Sequence, residues 1–433
     1  MSTTSTELLT KSFKINNKTT KNNIVTTLKE NIKSITCSSI NEELRTKHRF
    51  LKFLGSGTSG YTISICNDNS CKKPVVLKYA KMSKKKDSSE NNVKNVTHPI
   101  NVEVLFNELF SDIIQKKMSP HLNIFYGSIT CPSTVLLNNP NITGKWISKL
   151  KNNLSTGDIF DSIKLLFIEQ GYKDLDEYMK IQYTRINKHN FLDIPFIKDL
   201  EREFRVILFQ ICYTLVTLQY NIVGFRHNDF KANNILVYKR NRNITVTDYY
   251  KYTILNKTYY IPATFVTIKF NDYDFSCSKE HDNHKLHKKG FKKSGLSCKP
   301  NPGYDLHMLL NYIYNKYIIQ YKDLNNIKLL IEFIITNKKY LVPDSEVTRH
   351  FRLNNYNKYK TLNYNNSSQS APASFEIFPT AKEVKTPAFL LDSSKIFSVF
   401  EKVPTNGNII DTFDSQVPNS TTMTDELKHH LFY

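Results

Sequence analysis

The chain has 433 residues, of which 40% are hydrophobic and 23% charged. This composition supplies enough apolar material for a core and excludes a collagen, a coiled-coil rod or a chain disordered throughout. The 60 Lys and Arg against 39 Asp and Glu give a net charge of +21, which favours anionic partners without choosing among nucleic acid, membrane, acidic protein and nucleotide phosphate.

Seven cysteines are scattered without a regular spacing, and the polar start of the chain lacks the apolar core of a signal peptide. Together they predict reduced cysteines and a cytoplasmic location. The longest apolar stretch, residues 206–220, contains Gln210 and Gln219 and is shorter than the ~18 residues that a membrane span needs. It therefore predicts a buried helix and no membrane span.

In chain order, the hydrophobic pattern predicts a polar tail followed by a small antiparallel sheet, with its first helix after the third strand. The strands are predicted at 50–54, 61–65, 74–79, 123–129 and 163–169, the helix at 102–117, and a polar insertion lies between the last two strands. The second half is mainly helical. Its helices are predicted at 200–220 and 304–321, its strands at 234–237 and 265–270, an added Tyr-rich hairpin around 249–260, and docking segments at 389–391 and 396–397.

Three of only twelve glycines fall within six residues, in the string Leu54-Gly55-Ser56-Gly57-Thr58-Ser59-Gly60-Tyr61-Thr62. Such glycines let backbone N–H groups approach phosphate oxygens with no Cβ in the way. In a dinucleotide-binding fold a helix would follow the motif. Here a strand follows, and the next strand contains Lys78, which is the arrangement of a protein kinase lid. An ordinary glycine-rich hairpin is the alternative for this element alone.

A second motif, His227-Asn228-Asp229-Phe230-Lys231-Ala232-Asn233-Asn234, follows the long apolar helix and leads into a strand. Asp229 and Asn234 have the spacing of the kinase catalytic loop, in which the carboxylate orients the attacking hydroxyl and the amide oxygen binds Mg²⁺. A polar loop with coincidental spacing is the alternative.

The third motif is Asp274-Phe275-Ser276, placed after the next strand. A carboxylate at this position can join Mg²⁺ to nucleotide phosphates. Asp272 is the alternative ligand, and the Phe that follows Asp274 favours Asp274 as the ligand.

Combined in this order, the motifs resemble those of a eukaryotic-type Ser/Thr protein kinase, in a divergent form similar to the kinases of large cytoplasmic DNA viruses such as poxviruses and iridoviruses. The resemblance implies an α+β, bilobal fold with a small antiparallel β-rich lobe and a mainly helical lobe. The implied borders are a polar tail at 1–46, the small lobe at 47–172, the large lobe at 173–360 and a partly docked extension at 361–433.

The resemblance also implies ATP and Mg²⁺ as cofactors and a role for each motif residue. Lys78 would bind the α- and β-phosphates beside a helix acid, Glu103 or Glu108, with Glu103 favoured. Asp229 and Lys231 would act in transfer, and Asn234 and Asp274 would bind the metal. Residues 169–172 would form the hinge beside adenine, and the base would lie between Leu54, Thr62, Val76 and Leu236. Asp305 would anchor the catalytic loop.

Departures from the family pattern limit what the resemblance implies. Asn228 replaces the Arg that meets an activation-loop phosphate, Ser276 replaces Gly, and no Ala-Pro-Glu string precedes Asp305. Two alternatives remain open: a choline- or aminoglycoside-type kinase, and a pseudokinase scaffold. The three glycines and Lys231 favour the protein kinase over the first. A pseudokinase should have lost at least one of the residues Lys78, Asp229, Asn234 and Asp274, and this chain has all four.

In and beside the basic loop around 279–299 lie two Cys and three His, in the order Cys277, His281, His284, His287 and Cys298. Their spacing matches no closed zinc finger, so we interpret the loop as solvated. The predicted partners are protein substrates. The positive charge of the loop could attract acidic or already phosphorylated substrates. No aromatic-plus-basic module is recognisable, so nucleic acid is not predicted as a partner. A viral enzyme would act in the host cytoplasm or the virion.

Overall fold

The computed structural model describes residues 36–38, 50–56, 60–66, 74–83, 94–137, 145–188, 194–238, 243–287, 296–336, 341 and 384–432. The chain divides into two compact units. The first unit comprises Met1–Gln115 and Asn123–Gln170, and the second comprises Lys116–Leu122 and Gly171–Tyr433. The predicted α+β class, with an antiparallel sheet first and a mainly helical part after it, is confirmed.

The first unit is built on a five-stranded antiparallel sheet of order β1-β2-β3-β5-β4. Its strands are β1 (Phe50–Ser56), β2 (Gly60–Cys66), β3 (Val75–Ser83), β4 (Phe125–Cys131) and β5 (Ile159–Glu169). Apolar residues alternate along these strands, so one face supplies a core that includes Leu77, Tyr79 and Leu165.

Helix α1 (Pro99–Gln115) begins with a proline, which is favoured at the first helical position because its missing N–H has no partner there in any case. Its buried residues recur at helical spacing, with Val102, Phe106, Phe110 and Ile113 on one face. That face packs towards the sheet, where Ile100 joins Phe125 and Leu166 in the core.

The segment interpreted as a polar insertion contains two helices, α2 (Thr134–Leu137) and α3 (Lys145–Ser155). Ile147 and Leu150 of α3 are buried against the sheet core, and Leu154 is half-buried there. Most of the other α3 residues are polar, so the composition of the segment does not indicate that this helix has an apolar face.

The second unit is organised around the long helix α5 (Ile194–Asn221), which is buried along most of its length. The remaining helices are α4 (Leu175–Lys188), α6 (Tyr304–Lys316), α7 (Asn325–Ile334), α8 (Pro387–Asp392) and α9 (Asp425–Phe432). The strands are β6 (Lys173–Asp174), β7 (Ile235–Tyr238), β8 (Asp248–Ile254), β9 (Lys257–Pro262), β10 (Thr267–Phe270) and β11 (Asn408–Asp414). They form two three-stranded sheets, β10-β7-β6 and β11-β8-β9.

The described part of the carboxy-terminal segment belongs to the second unit. Thr386 caps α8, since its hydroxyl accepts a hydrogen bond from the Phe389 N–H at 3.3 Å. Leu390 and Leu391 are fully buried, and α8 packs on α5. Farther along, β11 pairs in parallel with β8, so the predicted added hairpin is completed by a strand from the end of the chain.

The expectation that the cysteines are reduced is wrong for four of them. Disulfides join Cys37 to Cys131 and Cys277 to Cys298. Fold topology brings the first pair together across 94 residues, which spacing along the sequence does not reveal. Because Cys277 and Cys298 are bonded to each other, they are not thiolates for zinc, and the described residues contain no cluster of three or more metal-ligating side chains.

Within the described ranges, no helix is both long enough and apolar enough to span a membrane.

Candidate active site

In the first unit, Lys78 and Glu103 form a buried ion pair. The Lys78 Nζ lies 2.7 Å from Glu103 Oε1 and 2.9 Å from Oε2, and only 13% and 1% of the two side chains are exposed. Lys78 is central in β3, and Glu103 lies on the buried face of α1. The other candidate acid, Glu108, is exposed. The structure therefore places Glu103, the favoured acid, on Lys78.

The glycine-rich string lies in the β1–β2 hairpin, with strand on both sides. The pairing of β1 with β2 shifts register between Phe53 and Gly55. At Gly60, an added Cβ would lie 2.6 Å from the backbone oxygen of Tyr79, so only glycine fits this close approach of β2 to β3. Leu54 is exposed, and Ser56, Tyr61 and Thr62 lie within the strands. Gly57, Thr58 and Ser59 are outside the described residues.

In the second unit, the backbone of the loop after α5 is held by Asp305 of α6. The N–H groups of His227 and Asn228 donate to the two Asp305 carboxylate oxygens at 2.8 and 3.0 Å. Burial raises the pKa of Asp305, and His227 and the backbone donors offset part of this effect. The predicted anchoring contact of Asp305 is thus present in the structure.

His227 is completely buried, and this burial lowers the pKa of its imidazole. Its Nε2 lies 3.0 Å from the carbonyl oxygen of Asn271. Because a carbonyl only accepts hydrogen bonds, Nε2 carries a proton and donates it to Asn271. His227 therefore acts as a fixed donor that positions the loop.

The three central residues of the loop contact one another. The Lys231 Nζ lies 3.2 Å from Asp229 Oδ2, and the Asn234 side-chain amide donates to the Asp229 carbonyl at 2.8 Å. The five-residue spacing thus closes a compact loop. Phe230, between Asp229 and Lys231, is fully buried against Phe270 and fixes their positions. Asp229 is buried, whereas 40% of the Lys231 side chain is exposed.

The Asp274-Phe275-Ser276 segment lies directly beside this loop. Arg226 and Cys277 exchange backbone hydrogen bonds of 2.9 and 3.0 Å, and the Asn228 side chain donates to the Phe275 carbonyl at 3.2 Å. Asp274 is 3% exposed. Asp272, the rival ligand, is half-buried and lies in the left-handed region with φ 66°. The structure thus brings the second and third motifs together.

Two residues that the sequence did not single out hold Asp274. The side-chain amide of Asn283, completely buried, donates to the carbonyls of Asp274 and Ser276, both at 3.0 Å. The Lys285 Nζ lies 2.5 Å from Asp274 Oδ2. In the sequence both residues lie inside a Lys- and His-rich loop, where no spacing distinguishes them from their neighbours.

The donor set fits a magnesium ion. Mg²⁺ prefers hard oxygen ligands and uses one or two carboxylates plus substrate phosphates rather than an all-protein cage. Asp274 supplies a carboxylate, and Asn234, whose amide nitrogen is engaged by the Asp229 carbonyl, supplies an amide oxygen.

Comparison with known proteins extends this picture. The profile of a family described as "Poxvirus serine/threonine protein kinase" matches residues 178–360. Two similar proteins of Acanthamoeba polyphaga mimivirus are named "Putative serine/threonine-protein kinase R400" and "Putative serine/threonine-protein kinase R301". The first is 26% identical over 61% of this chain and 56% of its own length, the second 29% identical over 49% and 51%.

A third relative, from Invertebrate iridescent virus 6, is named "Probable serine/threonine-protein kinase 380R" and is 24% identical over 56% of this chain and 39% of its own length. The chain thus spans about half the length of the mimivirus relatives, and less of the iridescent virus protein. The resemblance to Ser/Thr protein kinases of large DNA viruses, predicted from the motifs, is confirmed.

Proposed function

We propose that this protein is a serine/threonine protein kinase that transfers the γ-phosphate of ATP to protein hydroxyl groups with Mg²⁺. The observation that supports the proposal most is the pairing of two motifs far apart in sequence. The antiparallel contact of Arg226 with Cys277 aligns the loop of Asp229 with the segment of Asp274. Phosphoryl transfer needs this combination, because its catalysis is largely positioning and charge stabilisation.

Each residue has a distinct role in the proposal. Lys78, oriented by Glu103, donates to the α- and β-phosphates, and the Gly55–Gly60 loop supplies backbone N–H groups. Asp229 accepts a hydrogen bond from the attacking hydroxyl and orients it. Asn234 and Asp274 hold the metal, which when bound neutralises charge on the phosphates.

Lys231 supports the choice of a serine or threonine acceptor. Its ammonium lies 3.2 Å from Asp229 Oδ2 and its side chain is 40% exposed, so it can contact a phosphoryl group that approaches the carboxylate. A donor at this place stabilises charge that develops in the transition state. Kinases that phosphorylate Ser and Thr resemble this chain in having a Lys two residues after the catalytic Asp.

The basic surface supports acidic or already phosphorylated protein substrates. The net charge is +21, and the stretch of residues 279–299 that follows Asp274 is rich in Lys and His. Since the named relatives come from large DNA viruses, the proposal places the activity in the cytoplasm of an infected cell or in the virion.

The test is an assay with labelled ATP and Mg²⁺ that offers casein, a basic protein, choline and an aminoglycoside in parallel. We expect label on protein, with phosphoserine and phosphothreonine after acid hydrolysis, and only background with Asp229→Asn. Phosphotyrosine as the main product would contradict the acceptor assignment. Label only on choline or the aminoglycoside would identify a small-molecule kinase, and no transfer by folded protein would identify a pseudokinase.

A further inference from the structure

A lysine occupies the immediate surroundings of the proposed metal ligand. The Lys285 Nζ lies 2.5 Å from Asp274 Oδ2 and 3.5 Å from the centre of the Phe275 ring. Only 13% of the Lys285 side chain and 4% of the Asp274 side chain are exposed. The ammonium is thus a buried cation, paired with the carboxylate and stacked on the adjacent aromatic ring.

The surrounding chain fixes the position of this lysine. The Lys285 N–H donates to Asn283 Oδ1 at 3.0 Å, and Asn283 itself holds the Asp274 and Ser276 carbonyls. Lys285 lies in a single 3-10 turn, His284–His287. The Cys277–Cys298 disulfide closes the segment that contains it. Asn283 therefore sets the distance from Lys285 to Asp274 through the backbone of both residues.

A divalent cation and Lys285 compete for the same carboxylate. Mg²⁺ binds oxygen at roughly 2.0–2.1 Å, so a metal on Oδ2 would either displace the ammonium or lie beside it on the same oxygen. A metal on Oδ1 would leave two cations on one small buried group, where poor screening makes their repulsion strong. In both arrangements Lys285 weakens metal binding at Asp274.

We propose that Lys285 is a resident counter-ion of Asp274 that opposes the binding of the divalent cation there. It lowers the affinity of the site for metal and so raises the metal concentration at which the site fills. The proposal rests on the proposed function only in assigning Asp274 as a metal ligand.

The test measures Mn²⁺ binding by electron paramagnetic resonance, in the presence of a saturating non-hydrolysable ATP analogue. We expect Lys285→Gln to bind Mn²⁺ at least about tenfold more tightly than the wild type, since close desolvated charges couple strongly. Lys285→Met, which keeps most of the apolar stem over Phe275, should show the same gain. The matched control is Lys279→Gln, which removes an equal charge from the same loop at an exposed ion pair with Glu426. It should bind Mn²⁺ like the wild type.

The remaining outcomes separate this proposal from the proposed function. Asp274→Asn should lose the bound Mn²⁺. If it does, and both Lys285 variants bind Mn²⁺ no more tightly than the wild type, the counter-ion role is wrong and the metal role of Asp274 stands. If Asp274→Asn binds Mn²⁺ like the wild type, both assignments are wrong. Weaker binding of the metal-free nucleotide by Lys285→Gln would instead make Lys285 a phosphate ligand and would overturn the proposal.

Discussion

The Lys78–Glu103 pair links activity to stability at a single residue. Lys78→Met removes the phosphate donor and leaves Glu103, which is 1% exposed, without its lysine. We expect turnover to fall by at least ~10²-fold, because a charge-assisted donor is lost. We also expect the free energy of unfolding in urea to fall by about 3 kcal/mol, the cost of breaking a buried ion pair from one side.

Lys81→Met is the matched control for this prediction. Lys81 lies three residues along the same strand, and successive side chains of a strand point to opposite faces. It should keep turnover within about twofold of the wild type. A Lys81→Met variant as inactive as Lys78→Met would show that the wrong lysine has been assigned.

His227 predicts a dependence of stability on pH. Burial lowers the pKa of its imidazole below the ordinary value of about 6.5, so the unfolded chain binds a proton that the native protein excludes. The stabilising contribution is complete above pH 6.5 and decreases as the pH falls through 6.5 towards the native pKa, by at most about 1.4 kcal/mol per pH unit.

Urea unfolding at pH 7.5 and pH 5.5 measures this dependence. The wild type should lose more stability between the two values than His227→Gln, whose side chain does not titrate in that range. Equal losses would show that His227 is not the titrating group.

At the scale of elements, the strands of the first sheet and helices α1 and α5 were predictable because their apolar residues repeat at regular spacing. Helix α3 was missed because its core-facing Ile147, Leu150 and Leu154 side chains lie in a segment that is rich in Lys and Asn. The parallel pairing of β11 with β8 was not predictable, because no local pattern identifies partners so far apart.

The candidate site likewise contains residues that the sequence predicted and residues that it did not. Lys78, Asp229, Asn234 and Asp274 were recognisable because their spacing matches motifs of a known family. The contacts of Asn283 and Lys285 with Asp274 arise from the path of the basic loop, which composition alone describes as solvated. Spacing thus singled out the candidate site residues but not the two residues that hold Asp274.

Strand β11 gives a prediction about packing. Phe413 is 6% exposed, and its ring centre lies 5.2 Å from that of Tyr252 on β8. Phe413→Ala should lower the free energy of unfolding by about 3 kcal/mol, the usual cost of a buried aromatic cavity. Ile410→Ala, on the same strand but 43% exposed, should change it by less than about 1 kcal/mol. Equal effects of the two variants in urea unfolding would contradict the docking of β11 through Phe413.

For the molecule as a whole, the first disulfide joins two separate stretches of one unit. Cys37 belongs to the stretch that ends at Gln115, and Cys131 to the stretch that begins at Asn123. A bond that closes a loop of this length reduces the conformational entropy of the unfolded chain. Cys37→Ser should therefore lower the free energy of unfolding by about 2–4 kcal/mol.

Reductant provides the check on this prediction. Dithiothreitol should destabilise the wild type more than Cys37→Ser, in which this bond is already absent. Equal responses of the two proteins in urea unfolding would show that the Cys37–Cys131 bond does not stabilise the fold.

The pairing of β8 with β11 also has a consequence for the order in which the chain is made. Hairpin β8–β9 is complete at residue 262, whereas β11 begins at residue 408. A ribosome that adds roughly 5–20 residues per second needs roughly 7–30 s to cover this interval. During that time the backbone groups of β8 that later pair with β11 are available to other chains emerging nearby. A newly made copy is therefore exposed to misassembly at this edge until its own last strand has been synthesised.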